Sequence, residues 1–102
     1  MFHPLAKLID MHDGYRQLHT LGGKQYLLLQ DEGRFFLVEN RCPHMDAPLI
    51  NADIHRCTIR CKAHGIAFDL NTGKAEGPLA STLDCLEQLP LVYDGDRVGV
   101  EL

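Results

Sequence analysis

Turn signals recur along this chain and divide it into short segments rich in leucine, β-branched and aromatic residues. Four clear examples are residues 22–23 (Gly-Gly), 31–33 (Asp-Glu-Gly), 71–73 (Asn-Thr-Gly) and 94–96 (Asp-Gly-Asp). Turn formers between apolar runs are typical of β-hairpins. The pattern predicts strands over residues 14–21, 25–30, 34–39, 58–60, 67–70, 89–93 and 97–102, and it contains no convincing helix. We therefore expect an all-β fold, a small antiparallel barrel or sandwich.

The length and composition fit a single domain. The chain has 102 residues, of which 45% are hydrophobic, so residues 1–102 suffice for one modest core and leave no room for a second. A domain with so small a core gains stability from a bound metal or cluster. Residues 26–29, Tyr-Leu-Leu-Leu, are uniformly apolar, which predicts a strand buried on both faces.

Charge and hydropathy argue against two classes of partner. The formal net charge is -4 and the 10 basic residues are scattered along the chain, so we expect no nucleic-acid binding. No apolar run approaches the roughly 18 residues that a transmembrane helix needs, and the first residues do not resemble a secretory signal. We expect a cytoplasmic protein with no membrane contact, whose thiols stay reduced.

Two cysteine and histidine pairs are the candidate functional residues. Cys42 and His44 form one pair, Cys61 and His64 the other, and both pairs fall where the strand pattern fails, which predicts loops. Two thiols and two imidazoles make a complete metal-ligand set, and zinc is one candidate. The four cysteines could instead form two disulfides, although that leaves the histidines unexplained. Because each loop supplies one thiol and one imidazole, the order better suits a dinuclear centre with two different irons.

This stretch resembles the Rieske 2Fe-2S motif. The resemblance rests on Cys42-x-His44, sixteen intervening residues, Cys61-x-x-His64-Gly65, and then Phe68-Asp69, Asn71-Thr72-Gly73, Gly77-Pro78 and the turn at residues 94–96. It implies one Rieske domain over residues 1–102, with a cluster-binding subdomain of two loops at about 41–47 and 60–68. It also implies one 2Fe-2S cluster, whose inner iron takes Cys42 and Cys61 and whose outer iron takes His44 and His64.

Four further residues are expected close to the cluster: Met45, Gly65, Ile66 and Pro78. Gly65 has two interpretations, either an ordinary turn glycine or a residue without Cβ that lets backbone N–H groups approach the bridging sulfides. Pro78 matches a proline-containing loop that covers the cluster in the family. Met45 is expected on the surface that docks redox partners, with Pro78 and the two histidine ligands.

Departures from the respiratory members of the family indicate a low reduction potential. Ala47 and Ala63 match positions where those proteins have cysteines joined as a disulfide. Ile66 and Phe68 match a serine and a tyrosine whose hydroxyls donate hydrogen bonds to sulfur atoms. Since such donors stabilise the more negative, reduced state, their loss predicts a potential toward the reducing end of the Rieske range.

A centre whose ligand positions are all filled by protein has no open site for a substrate. We therefore expect an electron carrier and not an enzyme. By resemblance, it takes single electrons from an NAD(P)H-dependent flavoprotein reductase and passes them to a terminal oxygenase, commonly one that hydroxylates aromatic rings in aromatic catabolism. The alternatives are a Rieske-like small subunit of a larger oxidoreductase, such as an assimilatory nitrite reductase, and a structural zinc module.

The remaining thiols and imidazoles have simpler interpretations. Cys57 and Cys85 are expected to be buried thiols that pack as small hydrophobic residues. The histidines outside the motif share no spacing and are expected to be surface or loop residues: His3, His12, His19 and His55.

Overall fold

The computed structural model describes residues 1–43, 47–62, 65–77 and 85–101. Their strands are β1 (Phe2–Lys7), β2 (Arg16–Leu21), β3 (Lys24–Asp31), β4 (Arg34–Glu39), β5 (Asp53–His55), β6 (Thr58–Arg60), β7 (Ala67–Asp69), β8 (Val92–Asp94) and β9 (Arg97–Glu101), with one short 3-10 helix at Leu8–Asp10. In the described ranges we find no helical segment with the length and hydropathy of a membrane span. The predicted all-β class is confirmed.

The strands pair as three antiparallel sheets of three strands each. The terminal sheet has the order β1-β9-β8, the central sheet β2-β3-β4, and the small sheet β5-β6-β7. The described strands therefore form separate sheets and do not close into one barrel. The small sheet is flanked by the two cysteine loops, because the first loop precedes β5 and the second joins β6 to β7.

All four predicted turns are present. In the β2–β3 hairpin, Leu21 and Lys24 pair across Gly22 and Gly23, whose φ angles are +58° and +84°. Residues with a side chain rarely adopt such angles, and a two-residue turn of this hand matches the twist of the paired strands. Glycine at both positions thus permits the tight connection.

The sequence pattern predicts seven of the described strands and misses β1 and β5. β4 and β6 have the predicted bounds, and the other five lie within a few residues of them. β1 contains Pro4, which cannot donate to a strand ladder, and its pairing with β9 is irregular between Pro4 and Ala6. β5 has only three residues, too few for an alternating pattern to be seen.

Strand β3 is buried on both faces, as its apolar sequence predicts. Leu27 and Leu29 belong to a buried cluster that also contains both predicted ligand cysteines. Leu28, between them, belongs to a second cluster with Val98 and Val100 of β9. Because alternate side chains of a strand point to opposite faces, β3 joins the two clusters, and β4 does the same through Leu37 and Val38. Each fully buried leucine contributes about 1.5–3 kcal/mol.

The β5–β6 hairpin is anchored to the central sheet at Cys57. Arg56 and Cys57 form the turn with φ angles of +51° and +58°, a left-handed conformation that costs a non-glycine residue about 1–2 kcal/mol. Two hydrogen bonds offset this cost: Cys57 N–H donates to Asp31 Oδ2 at 2.8 Å, and the Cys57 carbonyl accepts from Leu70 N–H at 2.9 Å. Since Cys61 follows the other end of β6, the anchor fixes the strand that leads to the second ligand cysteine.

Two arginines of the central sheet hold neighbouring segments. Arg16 of β2 donates from one guanidinium nitrogen to the carbonyls of Ile50 and Ala52, at 2.9 and 2.6 Å. Arg34 of β4 donates to Asn71 Oδ1 at 2.9 Å. The first pair of contacts fixes the segment after the first cysteine loop, and the second fixes the turn after β7.

Replacing Asp31 by alanine should destabilise the protein, because the buried Cys57 N–H then loses its acceptor, at a cost of about 1–3 kcal/mol. The thermal unfolding midpoint of Asp31→Ala should fall by at least about 4 °C for a domain of this size. Asp94→Ala is the matched control: Asp94 pairs with Arg97 across its turn as Asp31 pairs with Arg34, but it is exposed. An equal fall of the unfolding midpoint in the two variants would show that the Asp31 side chain does not anchor the β5–β6 hairpin.

Candidate metal centre

The two predicted ligand loops are closed by the same backbone contact. Cys42 N–H donates to the Ala47 carbonyl at 2.8 Å, and Cys61 N–H donates to the Ile66 carbonyl at 2.9 Å. In each loop the cysteine is bonded to the fifth residue after it. The two cysteines are therefore held in equivalent backbone positions, although their loops come from different parts of the chain.

Both ligand cysteines are buried in one apolar cluster. Cys42 is 0% exposed and Cys61 1% exposed, and both pack in the cluster that contains Leu27 and Leu29 of β3. A buried thiolate is unfavourable unless a cation lies beside it, and thiolates are preferred ligands of iron–sulfur clusters and zinc. Two thiols in one apolar cluster thus fit a centre that takes two thiolates and compensates their charge.

The imidazole half of the predicted ligand set lies outside the described residues. His44 and His64 fall in the ranges 44–46 and 63–64, and Met45 falls in the first of these. Pro78, the expected cover of the cluster, falls in the range 78–84 and is likewise outside. Among the residues that the structure describes, no group of three or more His, Cys, Asp or Glu side chains could hold a metal ion.

Gly65 has a backbone conformation that favours glycine. Its φ angle is +69°, and its N–H donates to the Cys61 carbonyl at 2.7 Å. A Cβ built on Gly65 meets nothing within 4 Å, so its surroundings in the described structure leave room for a side chain. The left-handed φ by itself suits glycine at this position.

Apolar side chains occupy three described positions from which the sequence predicts a low reduction potential. Phe68 is fully buried, while Ile66 and Ala47 are half-buried and pack against the cluster that contains the cysteines. None of these three side chains has a hydrogen-bond donor. They exclude water from the thiols without stabilising added negative charge.

The other two cysteines differ in exposure. Cys57 is buried, as predicted; burial raises the pKa of its thiol, and the nearby Asp31 and Glu32 raise this pKa further. Cys85 is exposed, so the prediction of a buried thiol was wrong there, because the next residue, Leu86, takes the buried position. All four cysteines lie in the described ranges and none forms a disulfide, which contradicts the two-disulfide alternative.

The prediction that His19 is a surface or loop residue was also wrong. It lies half-buried in β2 and not in a surface loop, and its Nε2 is buried with no hydrogen-bond partner among the described residues. Burial lowers the pKa of His19, and His3 makes a smaller contribution in the same direction. The other three histidines outside the motif are exposed, as predicted: His3, His12 and His55.

Arg60 is a functional candidate that the sequence reasoning missed. Its guanidinium donates to the Gly65 carbonyl, so it reaches from the end of β6 across the second cysteine loop. The sequence does contain a signal that could have identified it: an arginine directly precedes each ligand cysteine, Arg41 before Cys42 and Arg60 before Cys61.

Comparisons with known proteins agree with this geometry. A family model described as Rieske [2Fe-2S] domain matches residues 1–89. Apoptosis-inducing factor 3 of Homo sapiens is 32% identical over 91 residues, which are 89% of this chain and 15% of that protein. The ferredoxin component of the alkene monooxygenase system of Xanthobacter autotrophicus is 31% identical over 90 residues, 87% of this chain and 71% of that protein. The chain thus spans a small part of the first relative and most of the second.

A solved structure shows the same fold. The ferredoxin of carbazole 1,9a-dioxygenase from Nocardioides aromaticivorans IC177 matches with a TM-score of 0.82 and 22% identity, over 97% of this chain and 95% of that chain. The predicted Rieske fold is confirmed by this likeness.

Substitutions at Gly65 should separate its two interpretations. If the left-handed φ is the only requirement, Gly65→Asn should retain more iron and acid-labile sulfide per chain than Gly65→Ala, because asparagine tolerates this conformation better. Gly95→Ala is the control: Gly95 has a φ angle of +61° and equally open surroundings, but it lies in the β8–β9 turn. That variant should lose stability, about 1 kcal/mol, and keep its iron. If Gly65→Asn loses as much iron and acid-labile sulfide as Gly65→Ala, the result favours the interpretation in which the backbone closely approaches the sulfides.

Proposed function

The chain belongs to the Rieske [2Fe-2S] domain family, and from this premise we propose that it is an electron carrier that passes single electrons to a terminal oxygenase. The observation that carries the proposal is the pair of equivalent loops, each of which closes on a buried cysteine. A relative that is the ferredoxin component of a monooxygenase system supports the same role. The cofactor is a Rieske-type 2Fe-2S cluster.

We assign the four ligands by the order of the motif. Cys42 and Cys61 would hold the inner iron as thiolates, while His44 and His64 would hold the outer iron through neutral imidazoles. When bound, such a cluster takes up and releases one electron, and imidazole in place of two thiolates raises its potential above that of all-cysteine ferredoxins. The burial of both thiols in one cluster supports the assignment of the two cysteines.

The chain's own residues would position the cluster and exclude water. The Cys42 and Cys61 N–H bonds fix the two loops, and the apolar cluster around the thiols keeps solvent away from the inner side of the centre. Gly65 and Ile66 close the second loop through their backbone groups. We propose that Pro78 covers the cluster and that Met45 lies with the histidine ligands on the docking surface.

We propose the partners from the same resemblance. The electron donor would be an NAD(P)H-dependent flavoprotein reductase, and the acceptor an oxygenase, commonly one that hydroxylates aromatic rings. A solved relative is the ferredoxin of a carbazole dioxygenase, which supports an aromatic substrate for the acceptor. Docking would be brief, since redox encounters use small interfaces. We further propose a single domain over residues 1–102 and a cytoplasmic location.

The potential should lie toward the reducing end of the Rieske range, about −150 mV. A hydrogen bond to a charged group contributes about 1.5–3 kcal/mol, and about 1.4 kcal/mol corresponds to roughly 59 mV for one electron. Only the difference between the two redox states counts, so these values are upper limits. Ile66 and Phe68, in place of two hydroxyl donors, should still lower the potential by many tens of millivolts.

Serine substitutions test the thiolate ligands. Cys42→Ser and Cys61→Ser should each lose most of the bound iron and acid-labile sulfide, because a serine hydroxyl is a poor ligand at neutral pH. Cys57→Ser and Cys85→Ser are the controls and should keep the visible absorption of the cluster. Full cluster content in either Cys42→Ser or Cys61→Ser would remove that residue from the ligand set.

Cysteine substitutions test the imidazole ligands. His44→Cys and His64→Cys should each lower the reduction potential in every preparation that assembles a cluster, because a thiolate adds negative charge next to the iron. Protein-film voltammetry measures the shift, and His12→Cys, an exposed histidine outside the loops, is the control. Unchanged potentials in both ligand variants would contradict the assignment of the outer iron.

A further inference from the structure

The two ligand cysteines are each preceded by an arginine, but the two arginines make different contacts. Arg41 donates from Nε to Glu39 Oε1 at 2.8 Å, and Glu39 is buried. Arg60 donates to the carbonyl oxygen of Gly65, five residues further along the chain. One guanidinium thus faces a carboxylate, and the other a neutral group inside a ligand loop.

The Arg60 contact completes the closure of the second loop. Gly65 N–H donates to the Cys61 carbonyl at 2.7 Å, and Cys61 N–H donates to the Ile66 carbonyl at 2.9 Å. With Arg60 on the Gly65 carbonyl, both backbone polar groups of Gly65 are bonded. The Arg60 backbone pairs with Ala67 in the β6–β7 ladder, and its exposed side chain is held against the second ligand loop by the hydrogen bond to Gly65.

The two contacts have different electrostatic consequences. Arg41 and the buried Glu39 form an ion pair, whereas the carbonyl that Arg60 contacts carries no net charge. Asp53 lies opposite Arg60 in the β5–β6 ladder, and both side chains are exposed, so solvent screens the field of each. Reduction adds one negative charge to the centre, and a nearby cation stabilises that state. The hydrogen bond to Gly65 holds the Arg60 guanidinium beside the ligand loop.

We propose that Arg60 is a positioning residue for the second ligand loop and that its charge raises the reduction potential of the cluster. This inference rests on the proposed function. It divides the role of Arg60 into two parts: the hydrogen bond to Gly65, which holds the loop, and the positive charge, which favours uptake of the electron.

Three substitutions of Arg60 separate the two parts. Arg60→Lys keeps a donor and the charge, Arg60→Gln keeps a neutral donor, and Arg60→Met keeps neither. Arg56→Gln removes a charge from the opposite end of the same hairpin, at the β5–β6 turn. Redox titration of each holo-protein, followed by EPR, gives the potential, and iron and sulfide analysis gives the cluster content.

We expect Arg60→Gln to bind a cluster whose equilibrium constant for reduction is at least about threefold smaller than in the unmodified protein. This corresponds to a reduction potential lower by about 28 mV for one electron. Arg60→Lys and Arg56→Gln should stay within about half that shift. Arg60→Met should show the lowered potential together with a reduced cluster content. If Arg60→Gln binds no cluster while Arg60→Lys binds one, the result supports the role of the charged contact in holding the loop.

Equal shifts in Arg60→Gln and Arg56→Gln would overturn the inference, as would an unchanged potential in Arg60→Gln. Loss of the cluster in Arg60→Lys, or a shift in it as large as in Arg60→Gln, would also overturn it. These outcomes are distinct from failure of the proposed function, which would appear in the unmodified protein as the absence of a 2Fe-2S EPR signal after reduction.

Discussion

The central strands β3 and β4 pack between the two apolar clusters, and β3 is buried on both faces. Leu27 and Leu29 face the cluster that holds the two ligand cysteines, and Leu28 faces β9 of the terminal sheet. This strand thus packs against both apolar clusters. Because a shift of one residue in its register would exchange the two faces, the hairpins on either side of β3 also determine where the cysteine loops lie.

The cysteine loops follow from that arrangement through a few polar contacts. Asp31 and Arg34, at the β3–β4 turn, bind Cys57 in the β5–β6 turn and Asn71 in the turn after β7, and Arg16 binds the segment after the first loop. The backbone N–H of each ligand cysteine is bonded within its own loop. Thiols placed in this way in an apolar cluster suit a centre that carries charge without binding a substrate.

Much of this could be predicted from the sequence, because the turns and the metal ligands are local signals. Glycine pairs and Asp-Gly turns mark the hairpins, and the order of Cys42, His44, Cys61 and His64 indicates two unlike irons. β5 was missed because three residues show no periodicity, and β1 because Pro4 interrupts its pattern. The Asp31–Cys57 contact joins residues whose proximity depends on the folded backbone, so no sequence pattern indicates it. An arginine before each ligand cysteine marks Arg60 as a candidate, but it does not indicate the contact with Gly65.

A redox titration of the purified protein, with parallel analysis of iron and acid-labile sulfide, decides whether the buried thiols belong to a low-potential Rieske cluster. We predict one 2Fe-2S cluster per chain that takes up a single electron at a potential of about −150 mV. A colourless protein that contains zinc and no acid-labile sulfide would contradict the cluster. A potential well above zero at neutral pH would contradict the role of Ile66 and Phe68 in making this a low-potential carrier.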